Sequence, residues 1–253
     1  MKYTETILRK DVENFNDYHG IELDLLEVQI PEETNHYKPI SFKELIDTSM
    51  EMCDKNGLNV VSRRYTTNGK KNEVIAYYGI EGHEDFMGHQ LAWRNSYNKS
   101  MSVAFVSGSE VWICGNSCVK GDMTFKKKHI GTIKEELQET IKIQIDGLGD
   151  TYESIIRDFQ TMKLRELTVS EMSALCGRMY IEERLLTVNE LTTVKDEILK
   201  PTFNYSHDGY QWGNNDLYSL YHHCTYALKD SHPYKSANAH KDLHQFFLKV
   251  SNR

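Results

Sequence analysis

Leu58-Asn59-Val60-Val61-Ser62-Arg63-Arg64-Tyr65, then Asn68-Gly69, then Glu73-Val74-Ile75-Ala76-Tyr77-Tyr78-Gly79-Ile80 is the stretch that decides the fold. Both runs are rich in β-branched and aromatic residues, and an Asn-Gly pair between two such runs marks a hairpin. Toward the C-terminus, Gly82 breaks the pattern, and β-rich runs follow at Gln90 to Asn95, Ser100 to Ser107 and Glu110 to Cys114. These are divided by Tyr97-Asn98-Lys99 and by Gly108-Ser109. The spacing predicts an antiparallel meander of four to six strands.

Helical periods flank this meander. Upstream, Ser41 with Glu44 three residues later reads as an N-terminal cap, and Phe42, Leu45, Ile46, Met50 and Cys53 form an apolar stripe over 41–55. Downstream, Thr132 with Glu135 resembles a capping box, and Ile133, Leu137, Ile141 and Ile145 recur at a spacing of four over 133–146. Further helices are predicted over 152–162, over 170–180 capped by Ser170, over 187–199 capped by Thr187, and near 216–229 and 238–250, with a loop from Pro201 through Asn215. Before the first helix, Ile21 to Val28 partly alternates and reads as a short strand.

The fold class expected is therefore α+β: an antiparallel meander flanked by helices, followed by a mostly helical C-terminal half. Its divisions are an acidic N-terminal segment 1–40, an α-β-β-β-α-like core 41–149, and a helical region 150–253 that packs on the core or forms a second subdomain. With 253 residues, 39% hydrophobic and 26% charged, the chain can bury a sizeable core without staples. No window approaches the roughly 18 apolar residues of a membrane helix, and the start of the chain lacks a signal-peptide core, so a soluble cytoplasmic protein is expected. The five cysteines are odd in number and scattered, which reads as reduced thiols.

The net charge of −7 argues against a nucleic-acid binder, but the charge is unevenly spread. Residues 1–56 carry 6 Lys and Arg against 13 Asp and Glu, whereas residues 57–149 carry 12 against 10. The positive middle holds Arg63 and Arg64, Lys70 and Lys71, Arg94, and Lys126-Lys127-Lys128-His129 ahead of a predicted helix N-terminus. Cations and helix N-termini bind phosphate, and a charge run is equally a solvated face. Trp93, Tyr97, Phe105, Trp112 and Phe125 lie among them, as core fillers or as stacking platforms for bases.

Other chemistry is sparse. Cys114 and Cys118 would need two further ligands to hold zinc, with His83 and His89 the nearest candidates. His222, His223, His232, His240 and His244 enrich the C-terminus, and His240 and His244 share a helix face, but the run lacks the Glu of a metalloprotease helix. No nucleophile elbow, phosphate loop or dinucleotide fingerprint is present, so no catalytic residue, metal or cofactor is assigned.

Trp93-Arg94-Asn95-Ser96, Val111-Trp112-Ile113-Cys114-Gly115-Asn116, Gly121-Asp122 and His129-Ile130-Gly131-Thr132 resemble the central signature of a phage and plasmid family, domain of unknown function 932. Asn214 to Thr225 is similar to that family's C-terminal segment. Ile113, Ser117, His223 and Cys224 depart from its pattern. The resemblance implies a mobile-element origin and brings no catalytic residues. The element order also resembles the core of Rad52-like single-strand annealing proteins, which bind single strands in a basic groove, usually as rings. That likeness is one of topology alone.

The leading expectation is thus a phage- or plasmid-encoded protein that binds single-stranded DNA through Arg63, Arg64, Lys70, Lys71, Arg94, Lys126, Lys127, Lys128 and His129, as an annealing or recombination protein and a homo-oligomer. One alternative is a non-catalytic protein that engages a host protein through the acidic N-terminal segment. Another is a metal-dependent enzyme that uses the histidine-rich C-terminus.

Overall fold

The structure is a computed structural model, and it describes residues 24–68, 70–84, 87–111, 116–119, 133–201, 206–207, 210–211, 214–228 and 233–252. The chain divides into two compact units, Met1–Ser109 with Gly121–Thr151, and Glu110–Lys120 with Tyr152–Arg253. The class is α+β, with an antiparallel sheet in the first half and a mostly helical second half.

In the first unit, helix α1 (Phe42–Lys55) is capped by Ser41, whose hydroxyl accepts from the Glu44 backbone N–H at 3.0 Å. Phe42, Leu45, Ile46, Ser49 and Cys53 are its buried face, the spacing a single helical stripe requires. Strands β1 (Val60–Thr67), β2 (Glu73–Glu84), β3 (Met87–Ser96) and β4 (Ala104–Val111) follow in meander order. Helix α2 (Ile133–Asp146) matches the span expected for it, although Thr132 lies outside the described residues. One face of the sheet, with Tyr65, Val74, Ala76, Tyr78, Ile80, Leu91, Trp93 and Phe105, meets the stripes of α1 and α2. Burial of each large apolar side chain contributes roughly 1.5–3 kcal/mol, so this shared core outweighs the modest helix propensity of either segment.

The hairpin turn is longer than a two-residue Asn-Gly link. Thr67 pairs with Val74, and Asn68 closes the intervening loop by accepting from the Asn72 backbone at 3.0 Å and donating to Asn72 Oδ1 at 2.7 Å. Lys71 adopts a left-handed φ of 52° inside it. Three other expectations in the sheet are corrected. Strand β2 runs through Gly82 to Glu84, its register slipping after Ile80 instead of turning. Strand β4 runs through Gly108-Ser109 and starts only at Ala104, because Ser96 Oγ donates to Met101 O at 3.0 Å and accepts from Met101 N at 2.8 Å, holding residues 96–101 in a turn. Asp24 to Leu26 is a helical turn within the strand expected over 21–28, of which 21–23 lie outside the described residues. Leu25 alone is buried there, beside exposed Leu26, so there is no alternating face to satisfy.

In the second unit, strand β5 (Asn116–Val119) lies against helices α6 (Leu217–Ala227) and α7 (Pro233–Ser251). Of the expected strand 110–114, Glu110 and Val111 end β4, and 112–115 lie outside the described residues. Helix α3 (Leu148–Lys163) crosses the unit boundary after Thr151. Helix α4 (Val169–Ile181) is capped by Thr168, not Ser170, in a reciprocal box with Glu171. Helix α5 (Val188–Leu199) is capped by Thr187 as expected. Within the predicted loop after Pro201, β6 (Ser206–His207) pairs with β7 (Tyr210–Gln211). Ten of the eleven residues of α6 are buried, so it is the central rod of this unit, with Asp216 as its cap.

Candidate functional site

The cations expected to form one site are separated by the pleat. Arg63 pairs across β1 and β2 with Tyr78, on the face that meets α1 and α2, whereas Arg64 pairs with Tyr77 on the opposite face. The Arg64 guanidinium lies 4.8 Å from the centre of the Tyr77 ring. Arg94 pairs with Ile75 and so shares the face of Arg64, two strands away on β3, yet it is only 7% exposed. Lys70 is exposed at the hairpin turn, and Lys71 ion-pairs with Asp24. Lys126, Lys127, Lys128 and His129 lie outside the described residues.

Most of the expected stacking platforms are core. Trp93 is 1% exposed and makes edge contacts with Tyr65 and Tyr78 at centroid distances of 6.5 and 6.4 Å. Phe105 is fully buried, and Trp112 and Phe125 lie outside the described residues. Tyr97 stacks on Phe42 at 4.0 Å, and its hydroxyl accepts the Phe42 backbone N–H at 2.8 Å. Burial pushes its phenol above the ordinary range, so it stays protonated. The Asn95-Ser96 step of the family-like signature is likewise a fastener: Asn95 Nδ2 donates to Ile40 O at 2.9 Å, and Ser96 grips Met101.

The helical unit places its histidines inside. His222, His223, His240 and His244 are all 6% exposed or less. His244 Nε2 lies 3.0 Å from Asp158 Oδ2, and Nδ1 lies 3.3 Å from the Tyr221 hydroxyl. An ionised carboxylate only accepts, so Nε2 carries a proton and donates to Asp158; when the ring is neutral, Nδ1 accepts a hydrogen bond from the Tyr221 hydroxyl. This chain of carboxylate, imidazole and phenol ties α3, α7 and α6 together beneath the Phe159 and Phe247 rings. His223 Nδ1 stands 3.9 Å from Glu197 Oε2 of α5. Burial lowers the His223 pKa to about 4, against a smaller opposing pull from the Glu197 charge, so this imidazole is neutral.

Among the described residues, no group of three His, Cys, Asp or Glu side chains is placed to hold a metal. The shared face of His240 and His244 points inward, and the second ring is committed to Asp158 and Tyr221. Burial raises the pKa values of Cys53, Cys176 and Cys224, which makes them packing thiols, not nucleophiles. Cys114 lies outside the described residues, and Cys118 is in β5. Sequence reasoning missed Asp158 as the partner of His244, since 86 residues separate them and no local pattern links them.

Comparison of the chain with protein-family models, with curated proteins and with solved structures finds no match.

Proposed function

We propose that the protein binds single-stranded nucleic acid along the β1–β2 hairpin, as an annealing or recombination protein of a mobile element. One observation carries this reading: residues 60–72 hold Arg63, Arg64, Lys70 and Lys71 and no Asp or Glu, and they form the edge strand and turn of the sheet. A polyanion running along that edge gains contacts with successive cations, and each neutralised phosphate releases counterions. The Arg64 guanidinium over Tyr77 adds a planar cation against which an unpaired base can stack, a geometry duplex DNA does not offer. Lys126, Lys127 and Lys128 are further candidate backbone contacts, and Arg94 is a buried support.

Fluorescence anisotropy with a labelled oligonucleotide across a salt series tests the proposal. Arg63→Glu, Arg64→Glu and Lys70→Glu together are expected to weaken binding at least tenfold, with the salt slope falling by about one for each phosphate contact removed. Absence of binding at low salt, or an unchanged affinity in the triple variant, overturns it.

A further inference from the structure

Three sulfur-bearing side chains meet inside the helical unit. The Cys224 thiol of α6 donates to the Met179 thioether of α4 at 3.9 Å, across 45 residues of sequence. Both residues are fully buried. Cys176 precedes Met179 by three residues on α4 and so lies on the same side of that helix. Burial raises the Cys224 pKa most, and a charge on Cys176 raises it further, which sets the second thiol beside the pair. Cys176 itself is half-buried.

The spacing and the donor types both suit a soft cation. An ion bonded to two sulfurs at about 2.3 Å, the length of metal–thiolate bonds, spans 3.9 Å at an angle of about 116°, close to trigonal. A third sulfur completes such a site. Zinc takes four thiolate, imidazole or carboxylate ligands, and calcium and magnesium take oxygen, whereas thiolate with thioether selects copper(I). The cluster holds only two of the His, Cys, Asp and Glu donors, and Met179 supplies the third.

We infer that Cys176, Met179 and Cys224 form a copper(I) site. Each thiol gives up its proton as the ion binds, so two protons leave for one Cu⁺ and the site ends with one negative charge. That charge rests toward half-buried Cys176, where water screens it, while the Met179 sulfur donates a lone pair without any change in charge. Cys176 is also the point of entry. Burial holds both thiols protonated at neutral pH, so uptake competes with protons and tightens as pH rises. The site is independent of the nucleic-acid function proposed above.

Anaerobic titration of the full chain with copper(I), in competition with a chromogenic copper(I) chelator, tests the site. A Cys114→Ser, Cys118→Ser background removes the other closely spaced thiol pair. One equivalent of copper is expected, with thiolate-to-copper charge-transfer absorption in the ultraviolet and three sulfur neighbours by X-ray absorption. Met179→Leu conserves core volume, and Cys176→Ser changes a half-buried position, so circular dichroism should show both folded. Each should weaken copper uptake roughly tenfold or more. No uptake by the background protein, fewer than three sulfur neighbours, or an unchanged affinity in either folded variant overturns the site. Tighter uptake of zinc than of copper(I) overturns the choice of ion.

Discussion

The hydroxyl of Tyr97 accepts the first backbone N–H of α1, from Phe42, at 2.8 Å, while the two rings stack at 4.0 Å and 6°. A residue in the turn after β3 thereby fastens the start of the helix that covers the sheet. Tyr97→Phe keeps the stack and orphans the N–H, so it should cost about 1–3 kcal/mol. Tyr97→Ala also opens a cavity and should cost about 3–5 kcal/mol. Urea denaturation followed by circular dichroism checks both, and equal losses would show that the hydroxyl contributes nothing.

In the helical unit, the link from Asp158 through His244 to Tyr221 should be worth more than its outermost bond. Tyr221→Phe removes one hydrogen bond and should cost about 1 kcal/mol. Asp158→Ala strands a buried imidazole, for about 3 kcal/mol or more. The double variant should lose less than the two single losses combined, because the groups act as one network. Strict additivity in a double-mutant cycle would contradict this arrangement.

Acid should loosen the same unit through His223. Its folded pKa, lowered by burial from 6.5 to about 4, means that the folded state binds fewer protons than the unfolded chain within that window. The stability from the neutral ring is complete above pH 6.5 and is lost as pH falls toward 4, about 3 kcal/mol in all. Unfolding free energies of the parent and of His223→Gln across this window should converge as pH falls. Parallel curves would assign the acid sensitivity elsewhere.

The start of α4 offers a sharper contrast. Thr168→Ala removes the cap and should cost about 1 kcal/mol, while Ser170→Ala, at an exposed position inside the helix, should be close to neutral. Thermal unfolding of the two variants decides between the positions.

Local patterns were readable where one physical rule dominated. The four-residue spacing of Ile133, Leu137, Ile141 and Ile145 defined α2, and the cap at Ser41 opened α1. The cap at Thr168 follows the same rule, since Glu171 stands three residues later, whereas Ser170 lies inside the helix. The start of β4 was not legible, because it depends on Ser96 reaching across a turn to Met101. The basic hairpin was visible as composition, whereas its division into two faces became apparent only with the register that sets Arg63 against Tyr78 and Arg64 against Tyr77. His244 stood out by type, but its role depended on Asp158 and Tyr221, each from a different helix.

Strand β5 belongs to the unit whose helices α6 and α7 come roughly a hundred residues later. During synthesis it must wait for them, for roughly 5–20 s at ordinary translation rates. A nascent chain halted near residue 150 would hold β5 beside β4 in the sheet but without the helices α6 and α7 that β5 meets in the finished chain. The helical half, expressed on its own from residue 152, would in turn lack the strand that its last two helices contact. Neither half of the gene therefore encodes a complete folding unit, and a cut between them leaves both products unfinished.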